Sequence, residues 1–151
     1  MKINISVGGK PKNGYVNIDP SVNKQWDKIK NLDHVADDSE CNEIIAEDMV
    51  DFLSSDDLEK TIQHWVSKLR HSGKIVIGGT DMYEVCKHFF QKGISTKDAN
   101  ILIHGEQKEA WDFRINQTTI ENLESILSNL GIDILKKRSS NFKMVIEGER
   151  P

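Results

Sequence analysis

The regular alternation of short apolar runs with amphipathic stretches, each run closed by glycine or proline, constrains this chain more than any single motif. Lys2 to Val7 reads as a strand closed by Gly8-Gly9, and Gly14 to Asp19 as a second strand stopped by Pro20. Asn42 to Ala46 reads as a third, and Trp26 to Leu32 as a further short strand of weak signal. A helix is predicted from about Ser55 to Arg70, because Leu58, Ile62, Trp65, Val66 and Leu69 recur at the spacing that lines one face. Asp56, Asp57 and Glu59 crowd its first turn and Lys68 and Arg70 its last, as the helix dipole favours. Lys74 to Ile77 follows as a buried strand closed by Gly78-Gly79-Thr80-Asp81. A second helix over Met82 to Lys92 is expected to bury Tyr83, Val85 and Phe89 or Phe90. A third starts near Thr118, which with Glu121 matches a capping box, and ends at Gly131. Its stripe is Ile120, Leu123, Ile126, Leu127 and Leu130. Ile132 to Leu135 and Phe142 to Glu147 then read as an antiparallel pair. Strands alternating with helices and ending in a hairpin predict an α/β fold: a mostly parallel twisted sheet with an antiparallel C-terminal strand and helices on both faces.

Composition removes several function classes. The 151 residues fit one domain, residues 1–151, with room for a hydrophobic core. A net charge of −4 gives no basic surface for nucleic acid, and Lys136-Lys137-Arg138 is short enough to be a solvated turn. No apolar run approaches the roughly 20 residues that cross a bilayer, and the N-terminus lacks a signal-peptide core, so no membrane partner is expected. Cys41 and Cys86 form no disulfide framework and have no metal-ligand company at zinc-like spacing, so no metal is expected and the cytoplasm is the predicted location.

In an open α/β sheet the ligand lies beyond the carboxyl ends of the strands, near the point where strand order reverses. Here that rule selects Ser6 to Lys10, Asp19, Glu47 to Met49 and Gly78 to Asp81. Gly8 and Gly9 let backbone approach a ligand with no Cβ in the way, and Asp19 can accept from both hydroxyls of a ribose. The interval between the glycine turn and Asp19 is too short for a full crossover helix. That disfavours a dinucleotide or nucleotide-sugar enzyme, which would hold a pyrophosphate at such a helix's N-terminus.

The stretch Ile3 to Gly9 with Gly14-Tyr15-Val16-Asn17-Ile18-Asp19 resembles the opening of a compact group of class I S-adenosylmethionine-dependent methyltransferases. In that group a short glycine loop joins the first two strands. Asn42 to Met49 resembles the group's fourth strand and Leu69 to Ile77 its approach to the fifth. His104-Gly105-Glu106-Gln107 with Trp111-Asp112-Phe113-Arg114 is similar to its "YGgQ…dyH" segment, and Thr119 to Ile132 to its last helix. The resemblance covers nearly the whole chain in the expected order. The chain departs from the pattern at Val7-Gly8-Gly9-Lys10, at Val50-Asp51-Phe52 where "LEH" is usual, and at Arg114 where His is common.

The resemblance implies a Rossmann-like seven-stranded sheet and S-adenosylmethionine as cofactor. Ser6, Gly8 and Gly9 would lie against its methionine part, Asp19 on the ribose, and Asn31 with Leu32 beside the adenine. Glu47 and Asp48 would face the sulfonium and the substrate. In-line methyl transfer needs alignment above all, and Glu47, His104 and Asp112 are the candidates wherever a general base is required. The expected activity is methylation of a small-molecule or glycan-like acceptor. The competing reading is a catalytically silent relative acting as a cofactor-binding or accessory subunit. Nucleic-acid methylation is disfavoured by the acidic balance and by the lack of an Asp/Asn-Pro-Pro-aromatic tetrapeptide. A homodimer that completes the substrate pocket is an expectation drawn from compact enzymes, with no residue here that carries it.

Overall fold

The computed structural model describes residues 1–151, the side chain of Asn23 excepted. Six strands form one sheet in the order β2-β1-β3-β4-β6-β5. Strands β1 (Lys2–Ile5), β2 (Val16–Ile18), β3 (Cys41–Ala46) and β4 (Leu69–Thr80) are parallel. The hairpin of β5 (Asp133–Ser140) and β6 (Lys143–Glu149) joins antiparallel to β4. The chain leaves β1 toward β2 and returns to β3 on its other side, so strand order reverses between β1 and β3.

Alternation along the strands decides the layers. Ile3, Ile44 and Ile75 form one row across the register and Ala46, Ile77 and Ile146 another, all of them buried. Onto this face pack helices α1 (Trp26–Lys30) and α2 (Ser55–Lys68) and the helix α5 (Ile120–Asn129). Helix α2 follows its stripe, with Leu58, Ile62, Trp65 and Val66 in the core and the Ser54 hydroxyl accepting from the Asp57 amide at 3.2 Å. Trp65 also donates through Nε1 to the Ile29 carbonyl at 2.8 Å, which fixes α1 against α2. The opposite face carries Asn4, Ile45, Val76 and Glu147 in one row and Lys2, Glu43 and Lys74 in the next, with Lys2–Glu43 and Lys74–Glu147 ion pairs at 3.9 and 3.8 Å.

Several expectations change. Six strands form instead of seven, because Trp26 to Leu32 holds helix α1. Trp26 and Ile29 are spaced as on a helical face, and that face meets Trp65. The helix predicted over Met82 to Lys92 is α3 (Met82–Phe90), and a further helix, α4 (Thr96–His104), follows it. Of the residues expected to be buried on α3, Val85 is, but Tyr83 is 62% and Phe90 87% exposed, and Phe89 is also exposed. The cause is position: α3 and α4 pack on each other beyond the carboxyl end of β4, where α3 meets the protein through Val85 and the edge-on His88–Phe142 ring pair. Helix α5 is capped by Thr119, one residue after the predicted start. Lys136-Lys137-Arg138 lies within edge strand β5, outside any turn; Lys137 reaches back to Glu124 on α5 at 2.8 Å. Charge along an edge strand discourages pairing with another chain.

Candidate functional site

The carboxyl ends of β1, β2, β3 and β4 open on one side of the sheet, and β6 starts there. The link from β1 to β2 holds its shape without a helix because Asn4, 2% exposed, clamps it. Its Nδ2 donates to the Lys10 carbonyl at 3.1 Å and to Asn17 Oδ1 at 2.9 Å. Ser6 Oγ donates to the same carbonyl, and Asn17 Oδ1 accepts from the Lys12 amide. Gly8 and Gly9 have φ of +78° and +71°, the left-handed region that side chains other than glycine rarely adopt. At Gly8 an added Cβ would press on the Trp111 ring at 3.2 Å, whereas at Gly9 it would meet nothing within 4 Å. The turn is therefore open at Gly9 and covered by Trp111 at Gly8.

Asp19 comes back to this turn. Its Oδ2 accepts from the Gly9 amide at 3.1 Å, and its Oδ1 accepts from the Ser21 amide and hydroxyl. A carboxylate has about four acceptor positions, so these bonds orient it without exhausting it. Ser6, Glu47 and Asp48 share a small cavity at the β1/β3 reversal with Lys10 and Lys12. Beside it a cleft of about 400 Å³ is lined by Gly8, Lys10, Asp48, Trp111, Asp112, Arg114 and Lys143. This is within the usual range of small-molecule sites.

Other candidates lie elsewhere. Asn31 is exposed and accepts from the Asp33 amide, while the side chain of Leu32 is fully buried and its amide donates to His64 Nε2 at 2.7 Å. His104, the last residue of α4, lines a separate cavity with Lys97, Asn100 and the 105–108 loop. Asp112 does face the cleft, with Oδ2 accepting from the Glu106 amide at 3.0 Å. Gly105, at φ +85°, leaves Asp112 room to do so.

Sequence reading missed the charged floor of this cleft. Arg114 grips Asp48 with two parallel bonds of 2.8 Å and reaches Asp51 Oδ2 at 2.8 Å, its guanidinium lying over the Phe52 ring. Asp51 is fully buried and also accepts from the Thr80 amide at 3.0 Å. Lys143, placed opposite Thr80 by antiparallel register, donates to Thr80 Oγ1 at 3.1 Å and to Asp48 Oδ1 at 3.5 Å. Burial pushes the Asp51 carboxyl above its ordinary range, more than Thr80 and Arg114 pull it down. Burial works the same way on Asp48, but there Arg114 and then Lys143 prevail and hold it low. Burial also pushes the Lys143 ammonium down, and attraction to Asp48 does not cancel it. The two departures from the family pattern, at Asp51 and Arg114, are thus a single ion pair. No local signal reveals it, since 63 residues separate the partners.

No protein-family profile matches the chain, and a search of curated proteins returns no match. Solved structures do resemble it. One is a 1,6-didemethyltoxoflavin N1-methyltransferase from Burkholderia thailandensis with bound S-adenosylhomocysteine (TM-score 0.62, 8% identity, covering 99% of this chain and 70% of that one). Another is a SAM-dependent methyltransferase from Archaeoglobus fulgidus (0.54, 14% identity, 96% and 75%). A third is the magnesium protoporphyrin IX methyltransferase of Synechocystis (0.53, 13% identity, 91% and 51%). The chain thus spans about half the length of the Synechocystis enzyme, and 30% of an O-methyltransferase family protein from Burkholderia thailandensis. With reversal between β1 and β3, four parallel strands and an antiparallel terminal hairpin, the chain has the Rossmann-like fold of the class I methyltransferases.

Proposed function

We propose that the protein is a methyltransferase using S-adenosylmethionine and acting on a small-molecule acceptor. The observation that carries this reading is the Gly9 amide bonded to the Asp19 carboxylate at 3.1 Å, at the carboxyl ends of β1 and β2 beside the strand-order reversal. Neighbours of the same fold hold S-adenosylhomocysteine, and the residues present suit such a ligand. Gly9, with open space beside it, and Gly8, against the Trp111 ring, would offer backbone to its methionine part, with Ser6 alongside, and Asp19 has an acceptor position left for a ribose hydroxyl. Glu47 and Asp48, which line the small cavity at the strand-order reversal, would face the reacting centre, whereas Asn31 and Leu32 lie outside that cavity. When bound, the cofactor supplies an electrophilic methyl group on a cationic sulfur. The chain's own part is alignment and exclusion of water: Trp111 and the 105–112 loop wall the cleft, and Arg114 fixes Asp48. Asp112 is the candidate base that faces this cleft. Both thiols, Cys41 buried and Cys86 exposed, are free, and we place the protein in the cytoplasm; no helix among the described residues is long and apolar enough to cross a membrane.

Calorimetric titration with S-adenosylhomocysteine tests this. Wild type is expected to bind, and Asp19→Ala to weaken binding at least about ten-fold, from one charge-assisted bond to the ribose at the acceptor position that Gly9 and Ser21 leave open. Asp19→Asn keeps an acceptor for the turn and separates loss of the ribose contact from loss of the turn itself. A folded wild-type protein that binds neither S-adenosylmethionine nor its product removes the reading.

A further inference from the structure

The cleft is lined by more than the glycine turn, and Asp19 lies outside its lining. Those groups lie over β1 and β2, whereas Lys143 stands on β6, three strand spacings or about 14 Å from β1. Its ammonium reaches back as far as Asp48, which follows β3, so it stands beside the reacting centre, where the molecule that meets the cofactor would lie. Its position is set by the sheet: Lys143 is the first residue of β6 and pairs with Thr80, the last residue of β4.

The ammonium is also short of partners. Lysine has three donors. Among the described residues, Thr80 Oγ1 at 3.1 Å takes one and Asp48 Oδ1 takes another at a long 3.5 Å. Asp48 is drawn toward Arg114, which holds both its oxygens at 2.8 Å, and its contact with Lys143 is left long. Of the other carboxylates, Asp51 lies beneath the cleft on Arg114 and Thr80, while Asp112 and Glu106 line it, Asp112 Oδ2 accepting from the Glu106 amide and the Glu106 carboxylate pairing with Lys108 at 3.6 Å. Lys10 adds a second cation to the lining of the same cleft, and Trp111 an aromatic ring. A partly buried cation with a free donor, facing a cleft next to an aromatic wall, matches an oxyanion on a compact molecule.

Resting on the methyl-transfer reading, we propose that the half of the cleft over β4 and β6 seats an acidic group, carboxylate or phosphate, of the methyl acceptor, with the Lys143 ammonium as its counter-ion. The acceptor class is then small organic acids or phosphorylated small molecules, and neutral acceptors bind poorly.

The test is an NMR titration of the full chain with inorganic phosphate and, separately, with benzoate, at constant ionic strength. Shifts at the Thr80 and Lys143 amides are followed in wild type, Lys143→Met, Lys143→Arg and, as a surface control, Lys97→Met. Saturable shifts in wild type and Lys97→Met, weakened at least about ten-fold in Lys143→Met and restored in Lys143→Arg, are expected. Preference for phosphate or for benzoate tells which acid the seat takes. Equal affinity in Lys143→Met, or shifts that never saturate in wild type, overturns the proposal. S-adenosylhomocysteine affinity of Lys143→Met is measured in parallel and is expected within about two-fold of wild type. If it collapses, the ammonium serves the cofactor and the proposal is overturned. If anions saturate the seat but wild type does not bind S-adenosylhomocysteine, the anion seat stands and the methyl-transfer reading falls.

Discussion

Arg114→Met is the substitution with the largest expected effect for the fewest atoms changed. It keeps an apolar stem over Phe52 but leaves Asp51, with no exposed surface, holding a carboxylate answered only by the Thr80 amide. Removing one partner of a buried ion pair costs about 3–5 kcal/mol, because the remaining charge cannot reach water. The second half of the bidentate grip, Asp48, is partly exposed and rehydrates, so it adds little. For a chain of this size the melting temperature should fall by roughly 6–20 °C. The sign of the pH effect follows from Asp51. Burial already raises its pKa in the folded state, so the folded protein binds this proton more tightly than the unfolded chain, and the group's stabilising share is lost as pH rises. Without Arg114 that shift grows. The variant's deficit in urea unfolding should therefore shrink as pH is lowered from neutrality and Asp51 takes up its proton in the folded state. Asp48 acts in the opposite sense, since its depressed pKa gives wild type stability that fades in acid. Both effects narrow the gap. A deficit below about 1 kcal/mol, or one independent of pH, would refute the description of Asp51 as a buried charge held by Arg114.

Lys68 is also buried, but its partners Asp33 and Asp38 are exposed, so Lys68→Met should cost no more than about 1 kcal/mol in the same unfolding assay. Gly79→Ala would drive a Cβ to 2.5 Å from Asp51 Oδ1 and 2.6 Å from Val50 Cγ2, and is expected to destabilise by about 1–3 kcal/mol in thermal melts. The Tyr15 hydroxyl bonds to Glu43, which with burial pushes its pKa up to about 12. Ultraviolet titration should find one late tyrosine, and Glu43→Gln should return it toward the ordinary value.

The parts of this fold that were legible in sequence are those written by local period. The stripe of α2, the glycine turn closing β1 and the Asp19 that follows β2 each declare themselves within a few residues. Helix α1 was misread because five residues give barely one turn of period, and α4 because its Ser95 cap and its Ala99 and Ile103 contacts are sparse. Tyr83 and Phe90 read as core because apolar residues on a helix ordinarily are; nothing local says that α3 sits past the end of the sheet. The cleft floor was illegible for a different reason. Lys143 meets Asp48 across 95 residues, and only the antiparallel register of β6 on β4 brings them together. Asn4, read as an ordinary strand residue, proves to be the clamp of the glycine loop, which its pairing with Asn17 across β1 and β2 explains.

The most direct measurement of the central claim is a crystal structure of the protein grown with S-adenosylhomocysteine. The account expects the ligand at the β1/β3 reversal, a ribose hydroxyl on the Asp19 carboxylate and its amino-acid end along Gly8 and Gly9, with the Lys143 ammonium left untouched. A ligand bound elsewhere, or crystals in which saturating S-adenosylhomocysteine leaves the glycine turn and Asp19 bare, would contradict it.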